Sequence, residues 1–286
     1  RQSYYDGAEI YRGALPGSGL FRMTLDADNW NQITDVEQVG NNMNLVIGAS
    51  ELACVRSADG SCDGYLFTNK LGSMKFIPYR KKIPTGGLPP LHAMRDNERI
   101  RVHTAYSSRV IPYPSGRNDR QDLIIGGEAA MYRYRFLGFT PEGAPIYSDP
   151  APVLQRNAPL YGGSLTVPNV VDWDGDGKLD LLIGSVKRSS YPSPERGLPY
   201  SLFKKKEIGL QVMLLINAGT NEKMVFKEPV QLQIDGKDFY LGAHSNAPEP
   251  CMLGDTSKGP NLVVGCESGK YFFFEHDRIT TVGIDD

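Results

Sequence analysis

The sequence predicts an all-β chain built from repeated blades, a β-propeller, and three observations carry that expectation. Glycine (31 residues), proline (20), tyrosine (15) and phenylalanine (11) are abundant, which brings turn formers and strand formers together. Long runs at helical periodicity are hard to find. A five-residue core recurs as Asn44-Leu45-Val46-Ile47-Gly48, Asp122-Leu123-Ile124-Ile125-Gly126, Asp180-Leu181-Leu182-Ile183-Gly184 and Asn261-Leu262-Val263-Val264-Gly265.

Each copy is an apolar run bounded by Asp or Asn and by Gly. That is the pattern of a strand buried on both faces, expected here as the innermost strand of a blade. Three cores are followed by a hairpin pattern: Tyr65–Asn69 with Lys75–Pro78, Tyr132–Phe136 with Pro145–Ser148, and Met213–Asn217 with Met224–Lys227. Lys270–Glu275 supplies one more strand after the last core, and Gly19–Leu25 reads as a strand of a partial first unit. The anchors at 44, 122, 180 and 261 are farther apart than a minimal four-stranded blade needs, so the connections carry insertions, Lys187 to Lys206 among them. Residues 1–286 are read as a single propeller domain of about five blades, or as a fragment of a larger, seven-bladed one.

With 286 residues, 40% of them hydrophobic, the chain is long and apolar enough for a sizeable core. Its 31 basic and 33 acidic residues nearly cancel, so nucleic acid and acidic membranes are not expected partners. No apolar stretch approaches the length of a membrane span. The chain opens on Arg1-Gln2-Ser3, without Met or an apolar leader, the look of a processed or truncated chain. Four cysteines form two local pairs, Cys54 with Cys62 and Cys251 with Cys266. Each pair could bridge neighbouring strands as a disulfide; four reduced thiols are the alternative.

The most specific motif is Asp172-Trp173-Asp174-Gly175-Asp176-Gly177-Lys178-Leu179-Asp180. Asp172, Asp174, Asp176 and Asp180 take positions 1, 3, 5 and 9 of a loop, with Gly177 at the sharp turn and the Lys178 carbonyl at position 7. This spacing wraps hard oxygen ligands around one Ca2+, and without a cation the carboxylates repel one another. It is not an EF-hand: position 12 is Ile183, and a strand follows rather than a helix. Asn118, Asp119 and Asp255 stand before the neighbouring cores as decayed versions to which no metal is assigned.

On these residues the sequence resembles the FG-GAP, or VCBS-type, repeat family, whose blades carry a D-x-D-G-D-G-x-x-D loop leading into a D-L-hydrophobic-hydrophobic-G strand. The likeness covers roughly residues 40–276, and Asp172–Gly184 fits it fully. It implies a propeller with structural calcium and a secreted or extracellular location, as in lectins, adhesion proteins and certain polysaccharide lyases. That setting favours oxidised cysteines.

Counting back from the cores, His103 and Tyr161 each lie 19 residues before Asp122 and Asp180, and His244 lies 17 before Asn261. Superposed blades would bring them to one mouth, where propellers bind ligands. Alternation places Arg101 on the face of His103. Arg101, His103, Tyr161 and His244 are the residue types that β-elimination from a uronate sugar needs: a cation for the carboxylate, a base for the adjacent proton and an acid for the departing oxygen. Propeller lyases of the ulvan lyase type, which the chain also resembles, are understood to use such a set. The expected function is therefore a secreted, calcium-stabilised lyase acting on an acidic polysaccharide; a glycan- or protein-binding propeller without catalysis is the alternative. Tyr132 and Tyr134, alternating with Arg133 and Arg135, are open to a binding role, whereas Tyr271–Phe274 is expected to be a core strand. No hydrolase elbow, Walker loop, dinucleotide fingerprint or zinc spacing is present, and no pair of carboxylates outside the loop can be placed for glycoside hydrolysis.

Overall fold

A computed structural model describes residues 19–29, 32–41, 49–57, 59–69, 72–100, 109–113, 120–126, 131–155, 158–159, 164–186, 212–227, 230–238, 246–266 and 269–282. The expected core Asn44–Gly48 and the insertion Lys187–Lys206 lie outside these residues. Among them there is no α-helix, and no helix long and apolar enough to cross a membrane.

Strands β1 (Leu20–Leu25) and β2 (Ile33–Gly40) pair antiparallel. Next comes a sheet of β3 (Ala49–Arg56), β4 (Cys62–Asn69), β5 (Met74–Pro78) and β6 (Leu91–His92), in that order. β7 (Met94–Arg95) and β8 (Glu98–Arg99) form a small pair. β9 (Arg109–Tyr113), β10 (Asp122–Gly126) and β11 (Tyr132–Tyr134) then run side by side. β12 (Phe136–Phe139) and β13 (Pro145–Tyr147) turn back to join β7, and β14 (Ala151–Pro152) completes the other edge of β11. β15 (Leu154–Gln155) and β16 (Ala158–Pro159) pair with each other. The third sheet of this kind is β17 (Ser164–Val171), β18 (Asp180–Val186), β19 (Val212–Leu215), β20 (Val230–Ile234) and β21 (Lys237–Asp238). The fourth is β22 (Asn246–Cys251), β23 (Asn261–Cys266) and β24 (Tyr271–Phe274). Finally β25 (Ile279–Val282) crosses back to pair with β20.

The repeated cores are strands, but not the innermost ones. β10 lies between β9 and β11, β18 between β17 and β19, and β23 between β22 and β24. An unbroken apolar run reports that both faces are covered and says nothing of rank within the sheet. The leading strands take part in every junction: β3 touches β9, β9 touches β17, and β17 touches β22, with β10 and β18 reaching β17 and β22 beside them. Four sheets therefore stand in a row.

Alternation along each core strand explains the apolar run. Leu123 and Ile125 of β10 enter a core with Val55, Leu66 and Phe76 of the preceding sheet, while Ile124 faces the opposite way, into a core with Leu181 and Ile183 of β18. Leu182 of β18 turns to a third core with Leu262 and Val264 of β23. Each such side chain, fully buried, contributes about 1.5–3 kcal/mol. At the two ends of the row apolar side chains face solvent: Phe21, Met23, Leu25, Ile33 and Val36 on β1–β2, and Tyr271 and Phe273 on β24.

Three other expectations change. The strand expected over Tyr132–Phe136 breaks at Arg135, because the Phe136 amide donates to the Asp122 carboxylate (2.9 Å) and β12 pairs with β13 in a different sheet. Tyr134 and Arg133 are buried, at 3% and 5% exposure, which removes them from a surface binding role. Tyr271–Phe274 is core on one face only: Phe272 and Phe274 are half-buried, whereas Tyr271 is exposed.

Candidate functional site

The anchors of the three described cores make one shared contact. Oδ1 of Asp122 accepts the Phe136 amide (2.9 Å), Oδ1 of Asp180 accepts that of Asn217 (2.8 Å), and Oδ1 of Asn261 accepts that of His276 (2.7 Å). In each case the donor lies two residues beyond the residue paired with the Leu after the anchor: Tyr134, Leu215 and Phe274. A short side-chain oxygen at this point ties the core strand to the end of its neighbour, which is why only Asp or Asn occupies it.

Before the second of these anchors the chain folds as the acidic loop. Gly175 and Gly177 adopt φ of 76° and 83°, left-handed values that a side chain would strain. These turns draw the carboxylates inward, and oxygens from Asp172, Asp174 and Asp176 lie within 4.8 Å of one another. Oxygens sharing one Ca2+ are at most about 5 Å apart, so the trio fits the ion. Oδ2 of Asp172 accepts the Gly177 amide (3.0 Å), while its Oδ1 is buried without a partner. The Lys178 ammonium pairs with Asp176, and that hydrogen bond holds the Asp176 carboxyl below the usual range.

Asp180 stands apart from the trio. Its Oδ2 accepts the Trp173 amide (3.0 Å) while Oδ1 holds Asn217, and burial pushes its carboxyl up to about 6. Asn221, which sequence reasoning did not single out, clasps the loop from the turn after β19: Oδ1 accepts the Leu179 amide (2.7 Å) and Nδ2 donates to the Gly177 carbonyl (3.1 Å). Its only local signal was the turn-forming run Asn217-Ala218-Gly219-Thr220-Asn221.

Trp173 turns into the core shared with β23, with its ring 4.9 Å from that of His276, whose Nδ1 meets the Pro260 carbonyl at 2.9 Å. Beside it, Asp172, Trp173 and Asp174 share a cleft of about 610 Å³ with Met252 and Lys258. Met252 and Leu253 are exposed at 71% and 64%.

Arg101, His103, Tyr161 and His244 lie outside the described residues. The strands that follow them, β9, β17 and β22, are neighbours in that order. Around the first of these anchors, Arg133 forms a buried ion pair with Asp122 (2.6 Å), donates to the Glu222 carbonyl (2.6 Å) and lies over the Tyr113 ring, 5.3 Å from its centroid.

The cysteines do not bear out two equivalent bridges. Cys251 is opposite Asn261 and Cys266 opposite Asn246, so they sit at the two ends of the β22–β23 hairpin, five residues apart along the ladder. That is about 16 Å at strand rise, far beyond disulfide reach. None of the four cysteines is in a disulfide in the structure. Searches of protein-family models, curated proteins and solved structures give no significant match to this chain.

Proposed function

We propose that the protein is a calcium-stabilised β-propeller that cleaves a uronate-containing glycan by β-elimination. The observation that supports this reading best is the adjacency of β9, β17 and β22, since loops leading into neighbouring first strands converge at one end of such a row. In this reading Arg101 neutralises the sugar carboxylate, His103 and His244 remove the adjacent proton, and Tyr161 protonates the leaving oxygen. The apolar faces left at the two ends of the row are what ring closure would bury.

Calcium belongs to the scaffold in this proposal. Asp172, Asp174 and Asp176 would hold it, with the Lys178 carbonyl and Asp180 as the further positions of the motif, and its charge would offset carboxylates that otherwise repel. The test is incubation with a panel of uronate polysaccharides, following the ultraviolet absorbance of the unsaturated product. Activity abolished in His103→Ala and His244→Ala is the expected result; no response from any substrate overturns the assignment.

The cleft beside the acidic loop, with Met252 exposed at its rim, favours a second reading: a glycan- or protein-binding propeller without catalysis. Retention of an acidic glycan with no cleavage would select it.

A further inference from the structure

The β3–β4 hairpin holds two sulfurs unusually close. Cys54 Sγ and Cys62 Sγ are 2.8 Å apart, longer than an S–S bond of about 2.05 Å yet too close for thiols with no tie between them. The register explains it. Cys54 is opposite Tyr65, Arg56 is opposite Cys62, and a bulge falls between Val55 and Arg56, leaving Asp63 without a ladder partner. Cys54 and Arg56 share a face, so Cys62 is the diagonal neighbour of Cys54. Diagonal neighbours in a regular ladder are about 7–8 Å apart; the extra residue and the added twist of a bulge bring this pair together.

The turn beyond the sulfurs is already built to stay closed. Ser57 bonds Asp59 and the Ser61 carbonyl, and the Ser57 amide donates to Ser61 (3.0 Å). The same end of the hairpin meets the next sheet: the Arg56 amide donates to Gln121 Oε1 (2.9 Å), Ser57 bridges to Arg120, and Arg120 pairs with Asp63 at 2.7 Å.

We propose that Cys54 and Cys62 are a redox pair that closes to a disulfide by exchange with a small-molecule disulfide, fastening the hairpin end where the first two four-stranded sheets meet. The exchange balances in two steps. The Cys54 thiolate attacks the outside disulfide, forming a mixed disulfide and expelling one thiol; Cys62 then loses its proton and attacks the Cys54 sulfur, expelling the second. Two protein thiols are oxidised and one external disulfide is reduced to two thiols. Burial, with the Cys54 sulfur beside it, pushes the Cys62 thiol up to about 12, which suits it to the second, intramolecular attack rather than the first. Cys251 and Cys266, at opposite ends of their hairpin, have no such partner in each other. The pair stands on its own geometry, independent of the lyase reading.

Trypsin decides the matter, because it cuts after Arg56, between the two cysteines. After equilibration of the folded protein with a glutathione redox buffer, free thiols are blocked and the protein is digested. The expected result is one cross-linked species joining the Cys54 and Cys62 peptides, two hydrogens lighter than their sum and separated by reduction. In Cys62→Ser, Cys54 should accumulate as a glutathione adduct, while in Cys54→Ser Cys62 should remain mostly free. Recovery of both peptides blocked as free thiols or as separate glutathione adducts in the unmutated protein, or cross-links that join them to Cys251 or Cys266 instead, would overturn the proposal.

Discussion

The sheet around β10 and the sheet around β18 handle the same buried carboxylate in two ways. Asp122 and Asp180 are equivalent anchors, 2% and 1% exposed, each tied through Oδ1 to the end of the adjoining strand. At Asp122 the other oxygen receives an internal cation, Arg133. At Asp180 it receives only the Trp173 amide, and three further carboxylates crowd the loop just before it. The first region carries its own counter-charge; the second receives only backbone amides at the same point. Sheets of one chain can thus keep the same strand anchor while the groups that satisfy its second oxygen change from sheet to sheet.

The largest break in that comparison is expected from Arg133→Ala. It leaves Asp122 buried and unpaired and removes a donor to the Glu222 carbonyl, a loss of about 3–5 kcal/mol. Urea unfolding should show it at any calcium concentration. Asp180→Ala follows, at roughly 3 kcal/mol, because the Trp173 and Asn217 amides lose their acceptor. Asp180→Asn should lose less, since Asn261 already serves the same contact; equal losses would refute the shared-anchor account. Smallest is the effect of chelation, about 2.7 kcal/mol when calcium had been present at a hundredfold excess over its dissociation constant. It should lower the melting temperature of the unmutated protein and leave Asp174→Ala unmoved. A calcium-insensitive melting temperature would remove the metal from the account.

The legible part of this fold was the part written locally. Asp122–Gly126 and Asp180–Gly184 announce strands because cores on both sides demand an unbroken apolar run, and Asn261–Gly265 keeps that run with Leu262 and Val264 in a core on one side and Val263 half-buried on the other. The acidic loop is legible because its carboxylates come from consecutive odd positions. What depended on register or on distant partners was not. Spacing alone made Cys251 and Cys266 look like Cys54 and Cys62, yet the ladder puts one pair together and the other apart. Arg133 looked like one member of an alternating surface strand, but it is buried by Asp122 and by carbonyls some ninety residues onward. Asn221 is tied to Gly177 across 44 residues of sequence, which no local pattern reveals. For Arg101, His103, Tyr161 and His244, only the strands that follow them bear on the expectation.

The return of β25 to β20 gives the row a mechanical asymmetry. Four ladder pairs, Ile279 to Val282 against Ile234 to Gln231, and the paired Arg278 and Asp235 fasten the chain after the fourth sheet to β20 of the third. A pull on the chain beyond Val282 is therefore borne first by the third sheet, and β24 feels it only after that fastening parts. The fourth sheet, with three strands and an aromatic edge exposed to solvent, is shielded from tension by its predecessor.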